Sequence, residues 1–114
     1  MERNPTRLDQ LFEFYREDPH DAFTIYAIAT EYLKIDPVKA MEYYQKLLHE
    51  HETYVGTYYH TGKLHQEFGE NDQAAQVYQK GMQISRQQGN MHAFSELQQA
   101  YNQLMGLDYE DEDE

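Results

Sequence analysis

Ala40-Met41-Glu42-Tyr43-Tyr44-Gln45-Lys46-Leu47-Leu48 and Ala74-Ala75-Gln76-Val77-Tyr78-Gln79-Lys80-Gly81-Met82 are two versions of one stretch, and this pair decides the fold. Ala, Tyr, Gln and Lys recur in register, thirty-four residues apart. A fixed period of that length marks stacked supersecondary units, each too small to bury its own apolar face and each completed by its neighbour. The expectation from this pair alone is a helix–turn–helix repeat.

The surrounding sequence supplies helices at the spacing this requires. Downstream of the second copy, Gly89-Asn90 offers a left-handed C′ glycine followed by an N-cap, so a helix over about 71–88 gives way to another over about 91–105. Phe94, Leu97, Tyr101 and Leu104 form the apolar stripe of that last helix, and Gly106 stops it. Between the copies, a helix after Thr53 carries Tyr58, Gly62, Leu64, His65 and Phe68 and ends at Gly69. Before the first copy, Asp36-Pro37 stops one helix and caps the next, over about 37–50, with Val38, Met41, Tyr44, Leu47 and Leu48 inward. Asp18-Pro19 reads as the same signal for a helix over about 19–34 that buries Ile25, Ile28, Ala29 and Tyr32, with Phe23, Tyr26 and Leu33 flanking. Asn4-Pro5 reads likewise for a helix over 4–17 with Leu8, Leu11, Phe12 and Tyr15 on one stripe, which Phe14 widens.

Six short helices with connections of a few residues pack as consecutive antiparallel neighbours. The fold class expected is all-α, a right-handed α-hairpin solenoid of about two and a half repeats plus a C-terminal capping helix. The sequence predicts a single domain over 1–106: a half-repeat helix at 4–17, repeats at 19–52 and 53–88, and the capping helix at 90–105. Residues 107–114 are expected to be a solvated acidic tail, since five consecutive carboxylates at 110–114 repel one another and have nothing to bury.

Composition removes several function classes. With no cysteine in 114 residues, disulfides, thiolate metal sites and a Cys nucleophile are excluded together. The net charge of −12 disfavours nucleic acid and anionic membrane surfaces as partners. Six of the 21 acidic side chains lie at 108–114, leaving −6 (nine basic against fifteen acidic side chains) for the residues before them. The polar start and the lack of any long apolar run give the cytoplasm as the expected location. Of the six histidines, His49 and His51 are two apart and His60 and His65 five apart. Neither pair has the i, i+4 spacing of a helical zinc site, so no metal and no cofactor is expected. A phosphate-binding glycine loop and a nucleophile–base set are absent from the sequence, so no catalytic residue is assigned and the chain is not expected to be an enzyme.

The second unit resembles the tetratricopeptide repeat. Tyr58 takes the place of that motif's Trp, Gly62 its Gly, Gly69 its turn Gly, Ala74 its Ala and Tyr78 its second aromatic. Small residues at Gly62 and Ala74 let backbones approach while Tyr58 and Tyr78 fill the space between helices. The first unit matches with Ile25, Ile28, Ala29, Tyr32, Ala40 and Tyr44, its turn one residue shorter. Thr61 stands where Leu is usual, His65 where Tyr is usual, and Glu52 and Arg86 where the closing Pro is usual. The resemblance covers about 5–105 and extends to small stand-alone bacterial members of the family.

What the resemblance implies is a non-enzymatic protein–protein interaction module that holds a peptide segment or partner helix in a concave groove lined by the first helix of each hairpin. By register, Tyr26, Thr30 and Lys34 face that groove from the first unit, Tyr59, Lys63 and Gln66 from the second, and His92 and Glu96 from the closing helix. Family members that grip acidic C-terminal tails use Lys, Asn and Arg at set places. The matching places here hold Tyr26, Thr30, His60, His92 and Glu96, so an acidic peptide is expected to be repelled and a neutral or basic segment to stack on Tyr26 and Tyr59. The alternative from a different class is a self-associating structural protein, a homodimer through its terminal helices, on the ground that Phe12 and Phe14 exceed what one neighbouring helix needs.

Overall fold

A computed structural model describes residues 4–107. Among them the only regular elements are six α-helices: α1 (Arg7–Glu17), α2 (Ala22–Tyr32), α3 (Pro37–Glu50), α4 (Gly56–Glu67), α5 (Asn71–Gln88) and α6 (Met91–Met105). None is long and apolar enough to cross a membrane. The expected acidic tail lies, from residue 108, outside the described residues. The chain divides into two compact units, with the boundary between Tyr54 and Val55.

In the first unit, both early helices start later than the Asx-Pro signals predict. Thr6 rather than Asn4 caps α1: its hydroxyl accepts from the Asp9 N–H at 3.1 Å while the Asp9 carboxylate accepts from the Thr6 N–H at 2.9 Å. This capping box satisfies two donors where Asn4 offers one acceptor. Asp18 proves to be the C-cap of α1, in a non-helical conformation, and Asp18-Pro19 forms the turn. The cap of α2 is Asp21, whose Oδ2 accepts from both the backbone N–H (2.9 Å) and the hydroxyl (2.7 Å) of Thr24. Those two bonds also hold its carboxyl below the usual carboxylate range. Asp36 caps α3 with Pro37 in its first turn.

The core of this unit holds Leu11, Ile25, Ile28, Ala29, Ala40, Tyr44 and Leu47. Beside it a four-ring cluster joins the three helices. Phe12 meets Tyr15, Tyr32 and Tyr43 edge-on at 6.0–6.4 Å between centroids, and Tyr32 stacks on Tyr43 at 5.9 Å. Each such pair contributes about 0.5–1.5 kcal/mol beyond its buried area. Phe12 is thus occupied within its own unit. Phe14, by contrast, is 59% exposed and does not widen the buried stripe, and Val38 is 63% exposed and does not belong to the stripe of α3. The inward position of α3 goes instead to Tyr43.

The second unit is built on two close approaches. A Cβ on Gly62 would stand 2.2 Å from Cε1 of Tyr78, and one on Gly81 would stand 2.6 Å from Cβ of Tyr58 and 2.9 Å from Cδ1 of Leu97. Helix α5 therefore lies against α4 at Gly62 and against both α4 and α6 at Gly81, with the glycines of one element facing the rings of another. The α4–α5 turn places Gly69 at φ +77°, a conformation glycine adopts at no steric cost. His65 and Glu70 pin this turn twice: the Glu70 N–H donates to the His65 carbonyl at 2.8 Å, and His65 Nδ1 lies 2.8 Å from Glu70 Oε1. The polar side chain in the usual Tyr place is thereby nearly buried yet satisfied. Two other polar side chains are not: Thr57 and Thr61 are fully buried, and among the described residues their hydroxyls find no partner.

Candidate functional site

Of the eight residues that register assigns to a groove, three belong to the first unit. Thr30 Oγ1 lies 3.0 Å from the Tyr44 hydroxyl. The Tyr26 ring packs at 6.2 Å against Tyr44 and at 5.5 Å against Tyr54. Burial pushes the Tyr26 phenol up and that of Tyr44 to about 12, so both stay neutral donors at any physiological pH. The Thr30 hydroxyl and the Tyr26 ring thus both hold α2 to α3 through Tyr44. Lys34 is exposed, with Nζ 3.6 Å from Glu31 Oε1.

Five belong to the second unit, and the structure gathers three of them. Tyr59 and Lys63 on α4 and Glu96 on α6 line one cleft together with Gln99, Ala100 and Gln103. The Lys63 ammonium sits 5.6 Å from the centre of the Tyr59 ring, a cation–π distance that fixes the lysine over the aromatic wall. His60 packs edge-on against Tyr59, and its burial holds the imidazole below its usual range, with Glu96 opposing that shift. Gln66 is committed elsewhere, since its Oε1 accepts a 2.6 Å hydrogen bond from the Tyr78 hydroxyl. His92 is exposed and stands beside the cleft residue Glu96, Nε2 to Oε2 3.4 Å.

Gln99, Ala100 and Gln103 escaped the sequence reading. The signal for them was present, because 96, 99, 100 and 103 are spaced as one face of a helix. Register with an earlier hairpin extended the row only as far as Glu96, since the capping helix has no second helix of its own to set the comparison.

The chemistry of this cleft is that of a polar slot with one aromatic wall. It offers an ammonium and a carboxylate, two carboxamides that each donate and accept, and a small apolar floor at Ala100. Among the described residues no group of three or more His, Asp or Glu side chains is arranged to hold a metal ion.

Two of the solved structures similar to the chain show its kinship. One is a solution NMR structure of a tetratricopeptide repeat domain protein from Salinibacter ruber, 40% identical over 81% of this chain and 94% of that one, with a TM-score of 0.74. The other is a crystal structure of a tetratricopeptide repeat domain protein from the same organism, 38% identical over 77% of this chain and all of that one, with a TM-score of 0.73. No protein-family model matches the chain, and no curated protein does. Identity at this level across nearly the whole of both neighbours, joined to the helix order and to the packing of Gly62 on Tyr78, settles the kinship. The chain belongs to the tetratricopeptide repeat family, an all-α fold of helical repeats.

Proposed function

We propose that the α4–α6 cleft of the second unit binds an extended, neutral or basic peptide segment of a partner protein, and that the chain acts as a non-enzymatic interaction module. Tetratricopeptide repeats are protein–protein interaction modules in general. The observation that carries the finer reading is the lining itself. Gln99 and Gln103 present amide donors and acceptors matched to a peptide backbone, and the Tyr59 ring offers a flat apolar wall. Tyrosine in such a place contributes large contact area at low entropic cost. Lys63, already held over Tyr59, is balanced by Glu96 in the same cleft, so the slot has no excess of positive charge with which to grip a carboxylate-rich tail.

The reading is tested by selecting peptides from a random displayed library on the wild-type chain and on the Tyr59→Ala, Gln103→Ala double variant. The expected result is a set of neutral-to-basic sequences sharing an apolar anchor, enriched on wild type and lost on the variant. Enrichment of acidic sequences, or equal enrichment on both proteins, would overturn it.

A further inference from the structure

The first unit carries an apolar cleft of its own, on the flank of α1 that adjoins the ring cluster. Arg7, Leu11, Phe14 and Asp18 succeed one another at the 4-3-4 spacing of one helix face, and that face meets Asp21, Phe23 and Thr24 at the start of α2. Leu11, buried, forms the floor. Phe14 and Phe23 form the walls, and at 59% and 60% exposure they are the two largest apolar side chains in the unit left open to water. Single exposed apolar residues are ordinary on a soluble protein. Two phenylalanines sharing one cleft, rimmed by charge, mark a place where something docks.

The rim identifies the chemistry of the occupant. Glu17, Asp18 and Asp21 line the cleft, and an adjoining depression that shares Phe14 and Glu17 adds Asp9 and Glu13. The single cation among these residues, Arg7, has its Nε 3.9 Å from Glu31 Oε2, and Glu13 has its own partner in Arg16 at 3.7 Å. The rim is therefore net acidic, on a chain whose net charge is −12. A second copy docked symmetrically would set this rim against itself, like charge against like. An anionic membrane surface meets the same repulsion.

We infer that this α1–α2 face docks a basic amphipathic helix of a partner protein, its apolar side between Phe14 and Phe23 and its Lys or Arg side chains against Glu17, Asp18 and Asp21. A helix suits the site because the cleft follows a helical face, and an amphipathic helix laid in an apolar groove is a recurring recognition mode. This site is separate from the Tyr59 cleft, and either stands if the other fails.

The probe is a synthetic amphipathic helix of Leu and Lys, about 14 residues long, enough at about 1.5 Å per residue to span α1. Its Leu/Gln and Leu/Glu counterparts serve as comparisons, each titrated into the isotope-labelled full chain. Saturable amide shifts are expected at Leu11, Phe14, Glu17 and Phe23 with the Lys peptide. Binding should weaken as salt rises from about 50 to about 300 mM, where the Debye length shortens from roughly 14 to roughly 6 Å, and the Glu peptide should not bind. Phe14→Ser with Phe23→Ser should weaken binding at least about tenfold, the loss typical of removing a desolvated anchor. Glu17→Lys should weaken the Lys peptide and leave the Gln peptide unchanged. All three substitutions are at exposed positions, so circular dichroism should match wild type. Equal binding of all three peptides, shifts confined to Tyr59, Lys63 and Gln103, or a concentration-dependent dimer that Phe14→Ser abolishes would each overturn the proposal.

Discussion

Replacing Gly62 by alanine tests the packing on which the second unit depends, because a single methyl group is added to a helix that would otherwise welcome it. Alanine is favoured over glycine inside a helix by about 1 kcal/mol, so an uncrowded site would gain stability. Here the new Cβ would lie 2.2, 2.6 and 2.7 Å from Cε1, Cδ1 and Cζ of Tyr78. Non-bonded carbons rest about 3.5–4.0 Å apart, so ring and backbone must separate by more than about 1 Å. The ring cannot simply turn aside. Tyr78 is wholly buried and its hydroxyl is held by Gln66 at 2.6 Å. Overpacking of this kind costs about 1–3 kcal/mol, and loss of the Tyr78–Gln66 bond adds about 1 kcal/mol. Against the helical gain, Gly62→Ala should destabilise by about 1–3 kcal/mol, lowering Tm by roughly 5–15 °C for a domain of this size. Gly62→Leu should cost more. Thermal and urea unfolding by circular dichroism measure the effect, and a double-mutant cycle assigns it: in a Tyr78→Leu background, where the ring is gone, Gly62→Ala should be neutral or stabilising. A Gly62→Ala protein that melts at or above wild type with Tyr78 in place would show that the α4–α5 crossing has room for the methyl group.

Other perturbations separate the remaining interactions. Thr61→Val removes a fully buried hydroxyl that has no partner among the described residues and keeps the shape of the side chain, so Tm should rise by the equivalent of about 1 kcal/mol; a fall would show that the hydroxyl is bonded. Glu50 lies 3.0 Å from His20 Nδ1 and 2.7 Å from Lys46 Nζ, and these hydrogen bonds, His20's first, draw its pKa down to about 2 from the usual 4.5. A depressed carboxyl adds stability that is fully present above pH 4.5 and is lost as pH falls toward 2. Glu50→Gln should therefore flatten the acid side of a Tm-against-pH curve in that window, and an unchanged acid limb would count against the pairings. At the alkaline end Tyr44, with its phenol raised to about 12, keeps its proton in the folded chain after the unfolded chain has released it near 10. Stability from this source is complete below about pH 10 and drains away as pH rises toward 12, which Tyr44→Phe should partly abolish in alkaline melts.

The fold was legible because its determinants are local and repeated. Ala40/Ala74 and Tyr44/Tyr78 occupy matching buried places on α3 and α5, so one period displayed the second helix of both hairpins at once. Asp36-Pro37 caps α3 as its sequence predicts, whereas Asn4-Pro5 and Asp18-Pro19 misled, because a cap is chosen by the number of donors it satisfies. Thr6 with Asp9, and Asp21 with Thr24, each make two bonds where Asn4 and Asp18 offered one. Phe14 and Val38 misled for a different reason. Apolar spacing names the residues able to be buried, whereas which face meets a neighbour depends on partners distant in sequence, and Tyr43 took the inward place beside Phe12, Tyr15 and Tyr32. The candidate site was legible by half. Tyr59, Lys63 and Glu96 followed from register, while Gln99, Ala100 and Gln103 needed the approach of α6 to α4 in three dimensions.

The proposed Tyr59 cleft should take up a partner segment and reject acidic peptides. The most direct measurement is amide and side-chain chemical-shift mapping on the isotope-labelled chain, titrated in parallel with a neutral-to-basic peptide carrying one apolar anchor and with an acidic peptide of equal length. Saturable shifts at Tyr59, Lys63, Gln99 and Gln103, with intermolecular contacts from the anchor to the Tyr59 ring, are predicted for the first peptide and none for the second. Saturable shifts at Tyr59 and Lys63 from the acidic peptide, or a first peptide that leaves these four residues unmoved, would rule out this cleft as a charge-selective peptide site.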